Sequence, residues 1–151
     1  MSRLRHTDIL CELVELGQER TLELRQKLVY YRASVYKDET ATAIVVRIDQ
    51  LRLLANLLAD DPLQEAFKDF DAMSKAGAMS SFPGECSFSK RVSSLLVAVT
   101  ASLDHLHSES VSRGVQTAND VAFTDVVRQH RDALLALCRH GSRQWAFFQA
   151  L

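Results

Sequence analysis

The chain has 151 residues, 47% of them hydrophobic and 25% charged, with a formal net charge of −1. That is enough chain for one domain with a sizeable core. The near-zero charge supplies no global field for nucleic acid or an anionic membrane, so such a partner would have to meet a local patch.

Five glycines and two prolines favour a few long elements over many short strands. Cys11, Cys86 and Cys138 are odd in number, widely spaced and without a CxxC pair, a pattern that suits a reducing compartment better than a disulfide framework. No apolar run approaches the roughly 18 residues of a membrane span. The opening "MSRLRHTDIL" lacks the apolar stretch that follows the basic start of a signal peptide. A cytoplasmic protein with a single helical domain over residues 1–151 is the expectation.

Helical periodicity is the strongest signal. Leu10, Val14, Gly17, Thr21, Leu24, Leu28, Tyr31 and Val35 recur at steps of four and three, the seam of a long helix packing at a shallow angle. Leu13, Leu16 and Leu22 widen that stripe. Thr7 or Asp8 can cap its start, and it is expected to end near Tyr36. A second seam follows in Ile44, Ile48, Leu51, Ala55 and Leu58, capped by Thr40 or Thr42 and stopped at Asp60. Asp61 then serves as a cap with Pro62 as first helical residue. The third helix carries Leu63, Ala66, Phe67, Phe70 and Met73 on one face and is expected to close at Gly77.

Residues 77 to 90, "GAMSSFPGECSFSK", read as the one long loop. A fourth helix begins near Ser87 or Ser89, with Val92, Leu95, Leu96, Val99, Leu103 and Leu106 inward, and Gly114 as its stop. Thr117 and Asp120 form a variant capping box. The fifth helix sets Phe123, Val127, His130, Leu134 and Leu137 on one face, and the same phase runs through Trp145, Phe148 and Leu151. Gly141 falls on that face. It either lets another helix approach or ends the helix in a left-handed cap, with Ser142 capping a restart. The close on "WAFFQAL" leaves two readings: the last helix docks on the core, which we favour, or the chain is a domain cut from a longer protein.

On a helical wheel Arg128, Arg131, Arg139 and Arg143 fall within about 120° of one another, opposite the apolar side. One reading is a solvated face with weak ion pairs. The sharper one, which marks these four as candidate binding residues, is a surface for an anion or an acidic partner. Asp60, Asp61, Glu65, Asp69 and Asp71, in the third helix and its lead-in, form an acidic strip that could meet it. Phe82 and Phe88 in the long loop are further candidates for partner contact, against the alternative that they tuck under the bundle as a lid.

Signals for chemistry are weak. His130, Cys138 and His140 are poorly spaced for a metal, and neither HExxH nor a second cysteine at CxxC distance is present. His105 and His107, two apart, point to opposite sides of a helix. Cys11 and Cys138 border apolar stripes, where thiols are usually inert. No glycine-rich phosphate cradle and no paired ExxH for a di-metal bundle occur. The expectation is an all-α antiparallel bundle of four to five helices, with long, coiled-coil-like first and last helices. It would act as a non-catalytic interaction module: an adaptor, scaffold or assembly subunit with a protein partner or a second copy of itself, and no cofactor. Peripheral contact with anionic headgroups through the Arg stripe, and a histidine-based enzyme or phosphotransfer protein, stand as the alternatives. Nucleic acid is the least expected partner.

Overall fold

The computed structural model describes residues 6–79, 87–113 and 120–151. Among them are seven helices and no strand: α1 (His6–Ala33), α2 (Lys37–Leu58), α3 (Asp61–Met79), α4 (Phe88–Arg113), α5 (Asp120–Gln129), α6 (Arg131–Leu137) and α7 (Arg143–Gln149). Helices α1 to α4 form an antiparallel four-helix bundle in which α1 packs on α2 and α4, and α3 on α4 and α2. The short connections after α1 and α2 force antiparallel neighbours. The α1–α4 direction is read from three cross-helix bonds: Gln18 Nε2 donates to Asp104 Oδ1 at 3.0 Å, Arg25 Nη2 to Thr100 Oγ1 at 2.9 Å, and Arg32 Nε to Ser89 Oγ at 2.7 Å. One residue number rises as the other falls.

The inner faces follow the apolar rows. Ile44, Ile48, Leu51 and Ala55 of α2 are buried, as are Leu63, Ala66, Phe67 and Phe70 of α3 and Val92, Leu95, Leu96, Val99 and Leu103 of α4. Each fully buried aliphatic side chain contributes roughly 1.5–3 kcal/mol, so these rows dominate the stability of the bundle. On α1 the buried arc is wider than one seam and takes in Ile9, Leu13 and Leu16 as well as Val14, Leu24 and Leu28. The cause is that α2, α4 and α5 all contact it. Helix α1 stops at Ala33, before Val35, which is therefore exposed.

Several element ends fall elsewhere than expected. Thr40 and Thr42 do not cap α2. They sit inside its first turns, donating to the carbonyls of Tyr36 at 2.8 Å and Asp38 at 2.9 Å, while Tyr36 occupies the cap position without a side-chain bond. The cap of α3 is Asp60 rather than Asp61: its Oδ2 accepts from the Leu63 amide at 3.1 Å. Helix α3 runs through Gly77 to Met79, so the connection to α4 is shorter than the sequence suggests. Ser87 does cap α4, accepting from the Lys90 amide at 3.3 Å. Gly114 and Thr117 lie outside the described residues.

The last stretch is long in sequence but broken in space. Helix α5 ends at Gln129 and α6 starts at Arg131, with His130 between them at φ −105°, ψ 16°. Past α6, Cys138 is extended and Gly141 takes φ 78°. Ser142 then caps α7, its hydroxyl accepting from the Trp145 amide at 3.1 Å. Of the two roles open to Gly141, the left-handed one is realised. Phe148 and Leu151 are buried in the core cluster, so the terminal segment docks on the bundle. No helix among the described residues is long and apolar enough to cross a membrane.

Candidate interaction surface

The four arginines of the C-terminal stretch do not present one free face. Arg143 reaches across to α1, where Nη1 binds Glu12 Oε1 and Nη2 binds Glu15 Oε2 at 3.0 Å. Its pKa is held above the ordinary guanidinium value, first by the hydrogen bond to Glu12 and then by that carboxylate's charge. Arg128 donates through Nε to the Leu151 carbonyl at 2.8 Å and pairs with Asp125 at 3.3 Å. Arg131 is half-buried, with its Nε shielded from solvent. Arg139 is exposed and makes no ion pair among the described residues. The break between Cys138 and Ser142 re-aims α7, so a wheel drawn through the whole stretch does not describe its shape.

The acidic row that meets this stretch lies on α1, not on α3. Beyond Glu12 and Glu15, Glu19 accepts from Gln144 Nε2 at 3.3 Å. Arg20, in the same part of α1, donates to the Leu137 carbonyl at 3.0 Å and satisfies an orphan acceptor at the end of α6. On α3, Asp71 is taken by Arg52 of α2 in a two-pronged pair at 2.8 and 3.0 Å. That guanidinium also lies 5.3 Å from the centre of the Phe67 ring.

Phe88 is half-buried at the start of α4, edge-on to Tyr31 at 5.1 Å between ring centres. Phe82 and Cys86 lie outside the described residues. His105 and His107 share α4, whereas His130 and His140 lie in the breaks on either side of α6. His105 faces Glu109 along α4 at 3.3 Å, and the His140 ring lies tilted against Trp145 with ring centres 4.6 Å apart. His130 Nδ1 sits 2.9 Å from the Val126 carbonyl; because a carbonyl only accepts, the contact places the proton on Nδ1. No group of three or more His, Cys, Asp or Glu among the described residues is placed to hold a metal ion.

A concave surface lies instead between α1 and α2. It is a groove of about 600 Å³, lined by Glu23, Lys27 and Tyr30 of α1, by Tyr36 of the connection and by Glu39, Ala43 and Arg47 of α2, among others. Tyr30 is 63% exposed and Tyr36 66%, large aromatic surfaces left in water at one end of the groove. Local structure explains why. In the three-residue connection the Ser34 hydroxyl accepts from the Tyr36 amide at 2.9 Å. The Lys37 ammonium donates to the Tyr31 carbonyl at 3.2 Å and sits 4.7 Å from the Tyr31 ring centre. These contacts tie down the turn and leave Tyr36 facing outward at the head of α2. In the sequence, Tyr36, Thr40, Ala43 and Arg47 form a second row at steps of four and three, beside the buried Ile44 row, with nothing that marks it as a groove. It reads as an ordinary wet face until α1 is set beside it.

No protein-family model, curated protein or solved structure matches this chain.

Proposed function

We propose that this chain is a cytoplasmic, non-catalytic interaction module, an adaptor, scaffold or assembly subunit that works by burying the α1–α2 face against another protein chain. One observation carries this reading: two large aromatic side chains, Tyr30 and Tyr36, stand mostly exposed at the same groove. Tyrosine supplies large amphipathic contact area at low entropic cost, and it is enriched at the centres of protein interfaces. The groove is lined by opposite charges and by no histidine or cysteine, a composition suited to recognition. The odd number and wide spacing of the three cysteines support the cytoplasmic part of the reading.

Affinity capture from the source cells, read by mass spectrometry, tests the proposal. Wild type is compared with a Tyr30→Ser/Tyr36→Ser variant whose helix content is checked by circular dichroism. A partner recovered with wild type, whether another protein or an untagged copy, should be lost with the variant. The same partners recovered with both would remove the groove from the function.

A further inference from the structure

The α2 side of the groove carries a charge pattern that is its own complement. On α2, Glu39 and Arg47 lie four residues before and four residues after Ala43, so all three share one outward strip about 12 Å long. Glu39 is exposed and Arg47 half-buried; Arg47 donates to Gln50 Oε1 at 3.0 Å, and neither residue has an ion-pair partner among the described residues. Ala43, at the centre, is small and exposed, which allows a second backbone to come close.

An acid and a base at equal distances on either side of a small residue are the arrangement that a two-fold axis satisfies twice. Turning a second copy half a turn about an axis beside Ala43 lays its α2 antiparallel on the first. Glu39 of each copy then meets Arg47 of the other. Val46, 51% exposed, comes beside Thr40 of the second copy. Tyr36 comes opposite Gln50 of the second copy, and Tyr30 closes the flank. An isologous contact of this kind uses one patch on both subunits. It covers the exposed tyrosines and pairs Glu39 with Arg47 twice.

We propose that the α1–α2 groove is the interface of a symmetric homodimer, with the Glu39–Arg47 pair made twice across the axis. The proposal rests on the interaction reading above and names the occupant of the groove as a second copy of this chain.

The charge arrangement supplies the test. Sedimentation equilibrium of the full chain over the micromolar range should show a reversible dimer for wild type. Glu39→Arg alone sets two bases against each other at both ends of the strip, and Arg47→Glu alone sets two acids together. Each should weaken the dimer at least about tenfold, with unchanged helix content by circular dichroism. Mixed together, the two single variants should associate with each other as tightly as wild type does, because one chain then carries only bases at these positions and the other only acids. The double variant, with the charges exchanged in one chain, should also dimerise.

A wild type that stays monomeric overturns the dimer and leaves the interaction reading to the capture experiment. A wild type that dimerises while both single variants match it, or while their mixture fails to associate, places the dimer contact elsewhere and overturns the proposal equally.

Discussion

Gly17 of α1 lies so close to Leu103 of α4 that a Cβ built on the glycine would stand 3.1 and 3.2 Å from the two leucine methyls. The approach of α1 to α4 at this level therefore depends on a missing side chain. Gly17→Ala gains about 1 kcal/mol of helix preference and loses a similar amount by pressing on Leu103, which is itself buried. Its stability in urea should stay within about 1 kcal/mol of wild type. Gly17→Val has no such balance and should lose about 1–3 kcal/mol to overpacking. Leu103→Ala should lose about 2–5 kcal/mol. Combining Gly17→Val with Leu103→Ala should cost less than the sum, because one change opens the space the other fills. Strict additivity would mean that the two side chains do not compete for that space.

Arg143 is exposed, yet one of its partners is not. The Glu12 side chain is 13% exposed and its Oε2 is shielded from solvent without a hydrogen-bond partner. An exposed ion pair is worth about 0–1 kcal/mol, but removing the arginine leaves a largely buried carboxylate without its cation. Arg143→Ala should therefore cost about 1–3 kcal/mol, more than a surface pair predicts. Glu12→Gln in the Arg143→Ala background should recover part of the loss. A double-mutant cycle by chemical denaturation gives the coupling, and a coupling near zero would remove the latch between α7 and α1.

The Cys138 thiol is pushed above its ordinary pKa of 9.0 chiefly by burial; the charge of Arg20 opposes the shift, while Glu19 and Glu12 add to it. Its Sγ–H also donates to the Leu134 carbonyl at 3.3 Å, which favours the protonated form. With Cys11 and Cys86 replaced by serine, the remaining thiol should react with a maleimide more slowly than it does in the unfolded chain at the same pH. For stability the sign is set by the proton count. Above the ordinary thiol pKa the folded state holds the proton that the unfolded state has lost, so the contribution is present below that pH and falls away as pH rises through the folded pKa. Equal labelling rates in folded and unfolded protein would contradict this.

Much of the bundle can be read from its rows of aliphatic side chains, and the reasons for the exceptions are local. Helices α3 and α4 pack through one arc, so Phe67, Phe70, Leu95 and Val99 fall where a wheel puts them. Helix α1 meets neighbours on several sides, so Ile9 is buried although it lies off the Leu10–Val14 seam. The four arginines align on a wheel only if α5 to α7 are one rod. Gly141 and the extended Cys138 break that rod, and Arg143 turns toward Glu12 and Glu15. The groove is a property of two helices side by side, and no pattern within α2 alone distinguishes Tyr36, Ala43 and Arg47 from an ordinary solvated face.

Two residues in left-handed backbone make opposite predictions. Ala59 ends α2 at φ 51°, with its amide bonded to the Ala55 carbonyl at 3.1 Å. Alanine, the best helix former, gives no sequence warning of this. A side chain in this region costs roughly 1–2 kcal/mol, whereas glycine avoids that cost and is the usual residue at such a helix end. Ala59→Gly should therefore stabilise the protein, by about 1 kcal/mol once the added freedom of the unfolded chain is subtracted. Gly141 is the mirror case: it sits at φ 78° with nothing within 4 Å of a built Cβ. Gly141→Ala meets no clash and should lose about 1 kcal/mol to backbone strain alone, while Gly141→Asn should lose less, because asparagine tolerates that region. Chemical denaturation of the three variants checks the signs. A destabilised Ala59→Gly beside an unaffected Gly141→Ala would mean that neither turn holds the left-handed geometry in solution.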